Sequence, residues 1–186
     1  MEPRDFVGTP GAAHPSGPEA GAWAISGGRT HTQGGARACA ALGILAVKVL
    51  IVGCGRVGSR LAQELDRNGH DVTIVDNNPT AFSQSASRGV FDESFRGNFV
   101  VGDGMEADLL RRAGIEDADC FIAVTQGDNR NIMAAQIAQR VFHVDRVVCR
   151  IYDPIRTEVY RKLGLDVFCP TVEGAATIRR MIDDGR

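Results

Sequence analysis

The feature that most constrains this chain is a short apolar run, Val49-Leu50-Ile51-Val52, that passes without a spacer into Gly53-Cys54-Gly55-Arg56-Val57-Gly58. A continuous, β-branched run of that length reads as a strand covered on both faces. Beyond the glycines, Val57, Leu61 and Leu65 recur at helical spacing, and Asn68-Gly69 supplies the stop. Val72-Thr73-Ile74-Val75 makes a second strand ending in Asp76, 18 residues past Gly58. Strand, glycine turn, helix, strand and terminal acid in that order form a cradle for a phosphorylated adenosine. Gly53 makes the turn, Gly55 lets backbone N–H groups reach a phosphate, and Gly58 lets the helix pack tightly on the strand. The helix start adds roughly half a positive charge facing the ligand. Asp76 can accept two hydrogen bonds from a ribose diol, and its charge opposes a 2′-phosphate. That favours NAD or NADH over NADP, with ATP or ADP as the alternative, because both classes present the same diol. Arg56 lies near the phosphate, and its fork suits a terminal phosphate; with no visible partner it reads equally well as a solvated helix-surface arginine.

The remainder of the chain repeats the alternation. Pro79 to Val90 is a polar, Ser-rich helix; Phe99-Val100-Val101 is a third strand followed by Gly102-Asp103-Gly104; a helix through Leu109 and Leu110 ends at Gly114. Cys120 to Val124 is a fourth strand closed by Thr125, and Asp128 to Phe142 is the clearest helix. In that helix Met133, Ile137 and Val141 are expected on the core side, and the exposed side, with Ile132, is the candidate for self-association. Arg146 to Ile151, a helix over Thr157 to Leu163, and the brief strand Asp166-Val167-Phe168 complete the pass. Strands alternating with helices at this spacing predict parallel βαβ units and a single doubly wound α/β sheet. Its ligand crevice lies outside the carboxyl ends of the strands, which is where Asp103, Thr125, Gln126 and Arg150 fall. Asp103 is expected on the adenine side, Thr125 under the ribose or pyrophosphate, and Arg150 within reach of phosphate.

Composition narrows the function classes. The 21 Lys and Arg against 23 Asp and Glu leave a formal charge of −2, without the basic excess of a domain held to nucleic acid. No run approaches the roughly 18 apolar residues of a membrane span. Five scattered cysteines without a CxxC read as buried thiols of a reducing compartment, and the four histidines lie at no metal-ligand spacing, so no metal is expected. Residues 1–46 hold nine of the 22 glycines and four of the seven prolines. They are expected either to be disordered or to precede a natural start at Val47, with the ordered domain over 47–170 and a helix or tail over 171–186.

Together, GCGRVG, Val75-Asp76, Val101-Gly102-Asp103, Ala118-Asp119 with Ala123-Val124-Thr125, Asp128-Asn129 with Asn131-Ile132, and Cys149-Arg150-Ile151 resemble the TrkA-type regulatory subunits of bacterial potassium uptake, the RCK or KTN module. The resemblance covers Val47 to about Pro170. It implies a Rossmann-like domain that binds NAD(H), and in relatives ATP or ADP, and works as a dimer or ring against a membrane potassium-translocating subunit. The implied location is cytoplasmic, at the inner face of the membrane, without insertion into it. The implied nucleotide contacts are Gly53, Cys54, Gly55, Arg56, Val57, Asp76, Thr125, Gln126 and Arg150, with Gly58 completing the glycine pattern. Many relatives carry Pro-Glu after the sixth strand, the acid near a cation; here Pro170-Thr171 stands there and the nearest acid is Glu173. Relatives also continue into a second, smaller ligand-sensing domain, so a one-module subunit or a fragment is expected. Regulation by ligand-dependent shift between two arrangements follows, without catalysis. The alternative is a truncated NAD-dependent oxidoreductase, although Tyr152 and Tyr160 lack a lysine four residues on.

Overall fold

The computed structural model describes residues 46–184, and the expectations for the first 45 residues lie outside it. Six strands form one sheet: β1 (Lys48–Val52), β2 (Asp71–Asp76), β3 (Asn98–Val101), β4 (Cys120–Ala123), β5 (Arg146–Arg150) and β6 (Asp166–Phe168). Their spatial order is β3-β2-β1-β4-β5-β6 and every pairing is parallel. The helices are α1 (Arg56–Arg67), α2 (Thr80–Ser87), α3 (Ala107–Arg112), α4 (Asp128–Arg140), α5 (Pro154–Lys162) and α6 (Pro170–Asp183), with a short 3₁₀ turn at Ile115–Asp117. The doubly wound sheet read from the strand alternation is therefore the observed one.

The apolar run of β1 explains its central place. Successive strand residues point to opposite faces, and β1 serves two cores. Leu50 and Val52 join Val75, Phe121, Leu110 and Ile115 on one face. Val49 and Ile51 join Val72, Ile74, Ile122 and Ala62 on the other. In register, Val49 to Val52 lie beside Val72 to Val75 and beside Cys120 to Ala123. The order of strands reverses about β1, since β2 and β3 extend to one side of it and β4 to β6 to the other. Such a switch point leaves a crevice at the carboxyl ends of the strands, because the helices following β1 and β4 turn to opposite faces.

Leu61 and Leu65 of α1 and Ile137 of α4 pack against the cores as their apolar stripes predict, but the closest contacts of both helices with the sheet are made by other residues. On α1 the buried residues are Gly58, Ser59, Ala62, Gln63 and Asp66, while Val57 is 40% exposed. On α4 they are Asn131, Ile132, Ala134, Ala135 and Ala138. Met133 and Val141, expected in the core, are 51% and 56% exposed, and Ile132, expected at the surface, is 5% exposed. The physical reason is spacing: a helix lies closest to a sheet where its side chains are small, so the alanines set the contact. The larger Met133 and Val141 are turned outward. Among the described residues, no helix is long and apolar enough to cross a membrane, and no three metal-ligating side chains cluster.

Candidate functional site

A cleft of about 770 Å³ opens over the carboxyl ends of β1, β2, β3 and β4. Its floor is the glycine turn. Gly53 has φ of +112°, and a Cβ there would lie 2.9 Å from the Thr125 nitrogen, so only glycine lets this loop rest against the turn after β4. A Cβ on Gly58 would fall 1.9 Å from the Gly53 carbonyl oxygen, which accounts for glycine as the residue that seats α1 on the strand. Gly55 is the N-cap residue of α1 and contributes no side chain; among the described residues no other side chain caps the helix, and its first turn carries no acid. The first N–H groups of a helix have no acceptor within it; here the helix start, at Gly55 and Arg56, borders the cleft with the positive end of the dipole beside it.

Asp76 stands at the end of β2 with both oxygens engaged by backbone. Oδ2 accepts the Cys54 N–H at 2.7 Å and Oδ1 accepts the Asn78 N–H at 2.8 Å. Each carboxylate oxygen can accept two hydrogen bonds, so both retain capacity for a ligand hydroxyl while their orientation is fixed. Asp103 lines the cleft from the turn after β3, its Oδ1 accepting the Met105 N–H at 3.0 Å. Burial pushes the Cys54 thiol up to about 11, and the charge of Asp76 works in the same direction against a hydrogen bond from Ser85. Cys54 is thus a packed thiol, held protonated near neutral pH.

Of the residues read from the sequence, Gly53, Cys54, Gly55, Arg56, Asp76, Asp103, Thr125 and Gln126 line this one cleft. Val57, Gly58 and Arg150 do not. Gly58 lies behind the turn, and Arg150, expected to reach phosphate, is 6% exposed. Its guanidinium donates to the Thr125 carbonyl through one terminal nitrogen and sits 4.6 Å over the Tyr152 ring. Arg150 therefore supports the turn after β4 from beneath.

Sequence reasoning missed several lining residues. Asn77 and Asn78 follow Asp76, Gln84 and Arg88 come from α2 and its end, and Arg130 from the first turn of α4. The Asn-Asn-Pro sequence is a turn signal and could have marked the first two. The side chains of Arg56, Arg88 and Arg130 make no ion pair or hydrogen bond among the described residues. Three free guanidinium groups with two acids, both already bonded to backbone, make a cleft suited to an anionic ligand carrying hydroxyls.

The sequence profile of the TrkA-N domain matches residues 49–170. The Trk system potassium uptake protein TrkA of Streptomyces coelicolor is 49% identical over 135 residues, which cover 73% of this chain and 55% of that protein. The TrkA homolog of Methanothermobacter thermautotrophicus is 31% identical over 135 residues, covering 72% and 59%. The chain thus spans little more than half the length of these curated relatives. Among solved structures, the TrkA-N domain of the Escherichia coli inner membrane protein ybaL superposes with a TM-score of 0.62 at 19% identity, covering 74% of this chain and 97% of that one. An AMP-bound form of the Shewanella denitrificans Kef C-terminal domain gives 0.61 at 22% identity, covering 75% and 82%. GsuK bound to ADP gives 0.62 at 23%, covering 75% and 35%. At these identities the structures establish the shared fold. The profile match over most of the chain, on a fold and a glycine cleft of the matching kind, establishes more: the chain belongs to the TrkA-N domain family.

Proposed function

We propose that this chain is a nucleotide-binding regulatory module of a potassium uptake system, with residues 47–170 forming the binding domain. The observation that carries the reading is the uncapped N-terminus of α1, which opens onto the same cleft as the oriented carboxylate of Asp76. The first suits a pyrophosphate and the second an unesterified ribose diol. NAD or NADH satisfies both, as do ADP and ATP, and the neighbours solved with AMP and ADP are consistent with an adenine nucleotide. In this reading Gly53, Cys54, Gly55 and Val57 offer backbone, Arg56 and Arg130 offer charge to phosphate, and Thr125 with Gln126 forms the facing wall. Asp103 lies towards the adenine. Arg150 contributes through Thr125.

The names of the relatives point to potassium uptake; in this reading the output is a membrane potassium-translocating subunit, met at the cytoplasmic face by a homo-oligomer of such modules. A nucleotide that binds one arrangement of the modules more tightly than another shifts the population towards it, and that differential affinity is all that can bias the partner.

Calorimetric titration of the chain with NADH, NAD, ADP, ATP and NADPH tests this. Binding of at least one of the nucleotides with a free ribose diol, with NADPH weaker by tenfold or more, is the expected result. No binding by any of the five, or NADPH binding as tightly as NADH, overturns it.

A further inference from the structure

The wall of the cleft after β4 is shaped by a side chain that never reaches the cleft. Asn131, on the first turn of α4, is fully buried. Its Oδ1 accepts the Thr125 N–H and the Thr125 hydroxyl, each at 2.7 Å. Its Nδ2 donates to the Thr125 carbonyl and to the Arg150 carbonyl, each at 3.0 Å. A carboxamide has two donor hydrogens and two acceptor lone pairs, and all four are used.

The position of this clamp gives it its meaning. The β4–β5 ladder ends at the pair Ala123 and Cys149. Just beyond, the two strands present the Thr125 and Arg150 carbonyls, two acceptors that cannot bond each other. Asn131 bridges them, and the Arg150 guanidinium adds a second donor to Thr125. Thr125 in turn abuts the glycine turn, since its nitrogen and Cα lie 2.9 and 3.1 Å from where a Gly53 Cβ would stand. Moving Thr125 by a few tenths of an ångström would therefore close or open the space above Gly53.

We infer that Asn131 is the positioning residue of the nucleotide site: it sets the distance between the Thr125–Gln126 wall and the glycine turn, and so tunes affinity without touching ligand. The inference rests on the nucleotide reading above. It needs an amide at this position, not merely a polar residue of the same size. Aspartate preserves the shape and both acceptor roles, but sets a third oxygen against two carbonyls.

The test compares wild type, Asn131→Asp, Asn131→Ser and Leu165→Ala by calorimetry with NADH and ADP, alongside thermal unfolding. Leu165 is a buried core residue outside the cleft lining, and its truncation controls for lost stability alone. Asn131→Asp is expected to bind tenfold or more weakly while folded. Asn131→Ser, which keeps one hydroxyl, is expected to lose at least threefold. Leu165→Ala is expected to bind within twofold of wild type despite a lower Tm. If N131D and N131S bind within twofold of wild type, or if Leu165→Ala loses as much affinity as they do, the positioning role is wrong and the nucleotide site stands. Should N131D not fold, N131S decides by the same criterion. If wild type binds neither NADH nor ADP, the positioning role falls together with the site.

Discussion

The two walls of the cleft are built by opposite means. On the β1–β2 side the wall is made by leaving side chains out: Gly53 and Gly58 allow backbone to approach backbone, and the start of α1 is left without a side-chain cap from its N-cap residue. On the β4–β5 side it is made by putting side chains in, with Asn131 and Arg150 buried beneath Thr125 to hold carbonyls that no ladder pairs. The first construction tolerates no added volume. The second depends on a hydrogen-bonding pattern that admits few substitutes. A binding site can thus be rigid on both sides for unrelated reasons, and the two sides should fail differently when altered.

The sharpest way to break this contrast is Gly58→Ala. Its new Cβ would meet a backbone oxygen at 1.9 Å, with no flexible side chain to move aside. A stability loss of about 3 kcal/mol and loss of nucleotide binding are expected in urea unfolding and calorimetry; a variant with wild-type midpoint would show that α1 is not seated through this contact. Next comes Asp76→Ala, which removes the proposed ribose acceptor and leaves the Cys54 N–H without its carboxylate. Affinity for NADH is expected to fall about a hundredfold and stability by about 1–3 kcal/mol. Unchanged affinity would remove Asp76 from the site.

On the other wall, Arg150→Lys keeps the charge but not the fork that spans the Thr125 carbonyl and the Tyr152 ring. A loss of about 1 kcal/mol in stability is expected, with a smaller effect on affinity than Asp76→Ala. A larger affinity loss than that would mean that Arg150 touches ligand itself. The smallest effect belongs to thiol reagents near neutral pH. Cys54 is pushed up to about 11 and Cys149 to about 12, both chiefly by burial. Neither should react in the native protein, and maleimide treatment followed by mass mapping checks this. The sign of the linkage is fixed as well. The unfolded thiol ionises near 9.0 and the folded Cys54 thiol only near 11. Stability from this group is therefore intact below about pH 9 and declines as pH rises towards 11.

The glycine wall was legible in the sequence and the clamped wall was not, for physical reasons. A motif such as GCGRVG with Asp76 is local: its members are near in sequence and each is needed for a backbone geometry that few residues permit. Asn131 works through contacts six residues back at Thr125 and 19 residues on at Arg150. Nothing in the types Thr, Asn and Arg announces that they meet. Arg150 was read as a phosphate ligand because arginine at a strand end has that chemistry, whereas burial directs its guanidinium to a carbonyl. The strands were readable because apolar runs bounded by glycine have one interpretation in an alternating chain. The phases of α1 and α4 were readable only in part: Leu61, Leu65 and Ile137 pack against the cores as their spacing predicts, but hydrophobic periodicity weights size. What decides the contact with the sheet is smallness, as at Ala62, Ala134, Ala135 and Ala138.

The central place of β1 has a consequence for how the chain is made. One edge of β1 is covered by β2, whose paired residues lie 23 positions further on, as in Lys48 and Asp71. The other edge waits for β4, with Val49 opposite Cys120, 71 positions later. At about 5–20 residues per second of synthesis, the Val49-Leu50-Ile51-Val52 edge stays open for roughly 4–14 seconds after it emerges. During that interval the nascent chain carries an unpaired, apolar strand edge of the kind that recruits other strands. Its early partners, β2 and α1, are the elements of the glycine wall, so the half of the cleft that tolerates no added volume is also the half that is synthesised first.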